Sequence, residues 1–397
     1  MSAREVTASP RGAVTLIPAL DGLRAVAAVL VVMTHAAYLT GFGVGGGLVG
    51  RLWARGDFGV AIFFALSGFL LHRGLVSDDS SGRLDIGGYA LRRAARILPA
   101  YWLTLLAVTL VARPPLHDVA IHAAGLQIYF ADAWIPAFGQ SWSISTELAF
   151  YAALPLAVLA LRPLRRRGAA LPLVVLSILI VLLTLTSGIG GGAEFGEDVL
   201  YERWLYARAP HFLVGMVCAE ALLLPMHPIA RRLSAWGSQV PTCLAVAASA
   251  YLLATTPING SLTLEPATPA QLVVRNALSA IVALALLVPL THGGPSAYRA
   301  ALSQPLVRWL GVTSYGVFLW HLPVFEALYA ATGVKVFQGG LLPLLAIGVP
   351  VTVLLAAMSH HWVEVPASRL AGRVLSRRRR REREGREHEQ PDGSLHR

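Results

Sequence analysis

Residues 21–35, DGLRAVAAVLVVMTH, open the first long apolar segment of the chain. Arg24 and His35 are eleven residues apart, and at about 100° per residue that is three turns plus roughly 20°, so on a helix they share one face. Asp21, three residues before Arg24, falls on the same stripe, while the remaining surface is Ala, Val, Leu and Met. His35 stands about 16 Å along the axis from Arg24, near the middle of a bilayer if Arg24 marks its edge. An ionisable side chain at that depth is costly and faces a polar cavity or partner. His35 is therefore either a residue that hydrogen-bonds a neighbouring helix or a buried base held above an anion-binding arginine.

The composition sets the surroundings of this helix. Apolar residues make up 55% of the 397, charged residues 14%, and the mean hydropathy is +0.59. Soluble domains carry roughly 25% charged residues, so the chain reads as a polytopic membrane protein of the all-α class. The net charge of +11 is not gathered on one soluble module but lies between apolar segments and in the tail, which speaks against nucleic acid as a partner. Cys218 and Cys243 lie in apolar segments, no metal-ligand spacing is present, and no small-residue cleavage site follows the first apolar run.

About ten transmembrane helices are expected, near 20–40, 57–75, 97–113, 142–161, 169–187, 207–224, 239–256, 271–291, 307–330 and 339–363. Alternate connections carry most of the arginines: Arg83, Arg92, Arg93 and Arg96, then Arg165 to Arg167, then Arg231 and Arg232, then Arg299. This asymmetry places both termini in the cytoplasm. It divides the chain into a cytoplasmic segment 1–17, a transmembrane domain 18–370 and a disordered basic cytoplasmic tail 371–397. The connection 114–141 reads as an outer loop with a half-helix, and 187–202 as an external loop with some freedom.

Further residues could carry chemistry. Arg93 and Arg96, in RRAARILPAYW, are three apart on one face at the cytoplasmic entrance of the third helix, and planar guanidinium donors suit phosphate. In QSWSISTELAFY, Glu147 is expected one to two turns inside the outer interface, with Trp142, Ser145 and Tyr151 adding polar atoms around it. In SYGVFLWHLPVF, His321 reaches mid-membrane, Tyr315 lies nearer the cytoplasm, and Pro323 breaks the local backbone bonding. Ser67 and Gly68 in the second helix read as small residues that let helices pack closely, and Glu364 before Pro366 as a helix stop. A base, a carboxylate and a phosphate-binding rim suit transfer from a phosphate-bearing donor to a hydroxyl.

These motifs, in order LDGLRAVAAVLVVMTH, GVAIFFALSGFLL, RRAARILPAYW, WSISTELAFY, SYGVFLWHLPVF and HWVEVP, make residues 18–370 resemble the acyltransferase-3 family of integral membrane O-acyltransferases. The resemblance implies acyl transfer from acyl-coenzyme A, a cosubstrate rather than a tightly bound cofactor, to a hydroxyl of a sugar, glycan or macrolide-type polyketide. It maps the family's functional pair onto Arg24 and His35, its acidic motif onto Glu147 and its basic motif onto Arg93 and Arg96. Leu148 stands where many relatives carry a second acidic residue. Some relatives also carry a C-terminal hydrolase-like domain that accepts the acyl group; the polar end of this chain gives the expectation that this route is absent.

The expected enzyme sits in the plasma membrane with catalytic His35 and Glu147, donor-binding Arg24, Arg93 and Arg96, and supporting Asp21, Trp142, Ser145, Tyr151, Tyr315 and His321. His35 acts either as general base or in positioning the thioester. The rival reading is a secondary transporter that relays protons through intramembrane His and Glu. Matching broken helices in the two halves, the usual sign of such a fold, are not evident.

Overall fold

Apolar runs too long to stay in water form long helices in the computed structural model, which describes residues 17–82, 84–130, 132–189, 201–262 and 267–389. In chain order these are α1 (Ala19–Thr40), α2 (Phe58–Ser80), α3 (Ile86–Ala112), α4 (Trp142–Arg167) and α5 (Leu171–Thr186). They continue with α6 (Leu205–Leu222), α7 (Val240–Ala254), α8 (Pro269–Thr291), α9 (Pro305–Thr332) and α10, a composite that runs over 341–389. Each expected apolar segment coincides with one of these helices, and the described residues contain no strand. Among the described residues, six helices are long and apolar enough to cross a membrane, or seven if the pair Pro228–Gly237 and Val240–Ala254, bent by 86°, is one span. The expected N-terminal segment up to residue 16, the centre of the external loop at 190–200 and the tail from 390 lie outside the described residues.

Lipid offers no hydrophobic drive between helices, so close packing and polar contacts decide which ones pair. The broadest interfaces are α2 on α6, α1 on α9, α7 on α8 and α5 on α6, with α9 also against α10. At the α2–α6 crossing a methyl added to Gly68 would collide with the Phe212 carbonyl, and one added to Gly215 with that of Ala65. The expectation that Gly68 allows close packing therefore holds. The buried rings of Phe64, Phe212 and Phe150 stack in sequence through this crossing.

The connection 114–141 departs from an outer loop. After the short helix Leu116–Ala123 the chain turns back into the bundle, and Gln127, Phe138, Gln140 and Ser141 are each at most 1% exposed. Its polar groups are answered inside: Gln127 Nε2 donates to the Ser141 carbonyl and hydroxyl, both at 3.0 Å. Gln140 Nε2 donates to the Leu319 carbonyl at 2.7 Å. Leu319 is four residues before Pro323, whose missing N–H leaves that carbonyl without its helical partner. The helix consequently runs unbroken through Pro323, because a side chain from the re-entering segment replaces the lost bond.

The C-terminal part also departs from the sequence reading. Glu364 does not end α10. A π turn, His360–Glu364, passes the Val365 N–H back to the His360 carbonyl, and the helix continues over Val365–Glu389. The wide turn accommodates Pro366, which has no N–H to give. The expected disordered tail from residue 371 is thus helical as far as Glu389. Arginine and glutamate are both good helix formers.

Candidate active site

One end of α1 closes over a cavity of about 470 Å³ to which α2, α3, α4 and α9 also contribute. Arg24, Arg93 and Arg96 all line it, joined by Arg73 and Arg308, neither of which was a candidate from sequence. The three-residue spacing of Arg93 and Arg96 works as expected: both point inward while Arg92 does not line the cavity. Arg24 Nη1 lies 3.2 Å from Asp21 Oδ1. Arg93 Nε is buried with no hydrogen-bond partner among the described residues. Arg96 pairs through Nη1 with Glu364 Oε2, and its guanidinium lies 5.9 Å from the centroid of the Tyr315 ring.

Glu364 was missed because Pro366 beside it suggested a stop. Its side chain is fully buried, and His360 Nδ1 lies 3.3 Å from the same carboxylate oxygen. Tyr315 is fixed in turn, donating its hydroxyl to the Ile97 carbonyl at 2.9 Å. The expected supporting residues Asp21, Tyr151 and Tyr315 therefore belong to this cavity.

Glu147 also lines it. Its Oε1 accepts from Ser67 Oγ at 2.5 Å and from Tyr151 OH at 2.7 Å. Ser67, read as a packing residue, is the hydroxyl that the sequence reading overlooked; the one available signal was a polar side chain in an otherwise apolar span. Glu147 does not share a cavity with His35: it lines the arginine cavity, His35 does not, and no hydrogen bond joins them among the described residues. The cause is the re-entrant connection. With Gln140 already at the level of Leu319, α4 begins inside the bundle, so Glu147 falls at the arginine end rather than near the opposite interface.

His35 and His321 meet further along α1. His321 Nε2 lies 3.2 Å from His35 Nδ1, and the ring centroids are 4.9 Å apart. His35 Nδ1 is 2.9 Å from the Val31 carbonyl, and His321 Nδ1 is 3.1 Å from that of Val317. A carbonyl only accepts, so both Nδ1 atoms carry hydrogens. His321 Nε2 then has a lone pair toward His35 Nδ1–H, and His35 Nε2 is left as a lone pair with no partner among the described residues. This tautomer follows from the bonding network.

Trp142 and Ser145 are not brought to the arginine cavity. Ser145 is buried, and its hydroxyl has no partner among the described residues. The Trp142 ring lies under Arg208, 5.1 Å from its guanidinium carbon, and lines a different, small cavity with Asp57, His211 and Arg275. Cys218 and Cys243 are free and buried.

Residues 17–361 match a family model, Acyl_transf_3, described as an acyltransferase domain. Among curated proteins, YrhL of Bacillus subtilis (strain 168), named provisionally as a peptidoglycan O-acetyltransferase, is 29% identical over 91% of this chain and 56% of its own length. The peptidoglycan O-acetyltransferase OatA of Listeria monocytogenes is 24% identical over 88% of this chain and 55% of its own. The O-acetyltransferase OatA of Staphylococcus aureus is 23% identical over 88% and 57%. The chain thus spans about half the length of these relatives. No solved structure matches. With the family model covering most of its length and its described residues folded as a bundle of apolar helices, this chain belongs to the acyltransferase-3 family and is a multi-pass membrane protein.

Proposed function

We propose that the protein is an acyl-coenzyme A dependent O-acyltransferase that esterifies a glycan hydroxyl. The observation that carries this reading is a five-arginine cavity at one end of α1 and, about 16 Å along that helix from Arg24, a histidine with a free ring nitrogen. Polyphosphate suits the first, and proton transfer the second. Arg24, Arg93 and Arg96 hold the donor's phosphates, with Arg93 Nε supplying an uncommitted N–H. The acyl-bearing arm then reaches along α1 to the histidine pair.

His35 Nε2 accepts the proton of the acceptor hydroxyl as the oxygen attacks the thioester carbonyl. The carbon–sulfur bond breaks, and the imidazolium returns the proton to the leaving thiolate, giving ester and free thiol. His321 holds the tautomer that exposes Nε2. Glu147, with Ser67 and Tyr151, works in the donor cavity rather than beside His35, orienting the donor among the arginines.

A glycan acceptor is favoured by the peptidoglycan named for two of the relatives. Membranes containing the protein test the reading with labelled acetyl-coenzyme A and glycan acceptors: label transferred to the glycan supports it, and donor left untouched with every acceptor overturns it.

A further inference from the structure

The arginine cavity changes character along its depth, because three of its helices line it at successive turns. On α2, Ser67 bonds Glu147 at the arginine end, and Phe63 and Val60 follow one and two turns further in. On α9, Tyr315 lies beside Arg96, and Phe318 follows about one turn later. On α4, Ile144 precedes Glu147 by about a turn, on the side where Gln140 reaches the Leu319 carbonyl. The end that suits phosphate is therefore polar, whereas the inner end is lined mainly by Val60, Phe63, Phe64, Ile144 and Phe318.

Phe318 is the lining residue of α9 nearest to His321, about 4.5 Å short of it along the helix axis. Its ring meets both sides of that boundary. The centroid is 5.9 Å from that of His321 and 6.1 Å from that of Phe63, the two phenyl rings standing edge to face. Both rings are held by packing: Phe318 is buried, and Phe63 rests on the cluster of Ala28, Val317 and Ala356. His35 and His321 do not line the cavity, so the phenyl pair stands between the arginines and the histidine pair.

A thioester whose phosphates stay with the arginines has to bring its acyl group past this pair to reach His35. Aromatic rings at 6.1 Å in an edge-to-face arrangement are in direct contact. Protein interiors are packed as densely as organic crystals, so every carbon carried past the rings displaces ring atoms that are already supported from behind. A two-carbon acyl group asks for the least displacement. A branched one, with two methyl groups abreast, asks for much more.

We propose, building on the acyltransferase reading, that Phe63 and Phe318 form an acyl-size filter between the arginine cavity and the histidine pair, and that the donor it admits is a short, unbranched acyl thioester. The arginines bind the part that all such donors share and are blind to the acyl group. Selection among donors falls to the two rings. An apolar site distinguishes ligands by about 10- to 200-fold per methylene, which is the range within which the filter works.

The test compares kcat/KM for acetyl-, butyryl- and isobutyryl-coenzyme A, with a β-linked N-acetylglucosamine oligomer as acceptor and the full-length protein in lipid nanodiscs. The parent should favour acetyl over isobutyryl by about tenfold or more. Phe318→Leu and Phe63→Leu should each raise the isobutyryl-to-acetyl ratio about tenfold, with butyryl between the two. Free coenzyme A carries no acyl group and should bind both variants as it binds the parent, which shows that they fold. A purely structural role for the rings would lower all three donors alike, so an unchanged ratio in both variants would overturn the filter. A parent that takes isobutyryl as readily as acetyl would overturn it as well. Transfer by the parent from none of the three donors would overturn the acyltransferase reading and the filter with it, whereas acetyl transfer with an unchanged ratio removes the filter alone.

Discussion

His321 Nε2 stands 3.2 Å from His35 Nδ1, and this contact, with the Val31 carbonyl 2.9 Å away, fixes which nitrogen of His35 is free to take a proton. The helices that carry the two histidines, α1 and α9, form one of the broadest interfaces in the bundle. The relationship is therefore built into the packing, and its consequences can be measured.

His321→Ala removes the acceptor that shares the His35 Nδ1 hydrogen. The turnover number should fall about tenfold or more with donor KM nearly unchanged, because proton transfer rather than donor binding is affected. His321→Gln keeps an acceptor in reach and should recover part of the loss. Equal activity in parent and both variants, from initial rates at saturating donor, would remove His321 from the account.

Arg93 faces the arginine cavity with an unused N–H, whereas Arg96 is already engaged by Glu364. Hydrogen bonds to charged groups contribute about 1.5–3 kcal/mol, so Arg93→Gln should raise the donor KM by roughly ten- to a hundredfold with a smaller change in turnover. Glu364→Gln should raise it less, by letting Arg96 wander. Titrations with donors lacking phosphate provide the check: if Arg93→Gln weakens these equally, the arginine does not read phosphate.

Gln140→Leu leaves the Leu319 carbonyl buried and unmatched. A loss of about 1–3 kcal/mol is expected, seen as a lower unfolding midpoint in detergent. Pro323→Ala restores a backbone N–H to the same carbonyl, so the double variant should recover most of the loss, a coupling that independent sites would not show. Additive losses in the double variant would contradict this explanation of the unbroken helix.

Glu220 is 1% exposed and bonded to His72 Nε2 at 2.7 Å and to Arg165. Glu220→Ala strands Arg165 beside a buried histidine and should destabilise the fold by about 3–5 kcal/mol. Thermal unfolding of the purified variant measures this, and an unchanged midpoint would show that water reaches the site.

Much of this arrangement was legible in residues 21–35 and in the apolar runs. Helical period alone places Arg24 with Asp21 and predicts that Arg93 and Arg96 share a face, and hydropathy locates each long apolar helix, though not the polar helix that runs on to Glu389. The position of Glu147 was hidden, because it depends on the connection 114–141 entering the bundle. Polar residues such as Gln127 and Gln140 look like loop residues until their internal partners are known. Glu364 was hidden for a related reason: Pro366 signals a helix end unless a π turn absorbs it. Pairing across 286 residues, as between His35 and His321, has no local signature.

The most direct measurement is acyl transfer from labelled acetyl-coenzyme A to a glycan acceptor by membranes holding equal amounts of the parent and the His35→Ala protein. The account predicts transfer by the parent and a rate lower by about 10² to 10⁴ in the variant, with donor binding unchanged. Transfer by His35→Ala at the parental rate would contradict it.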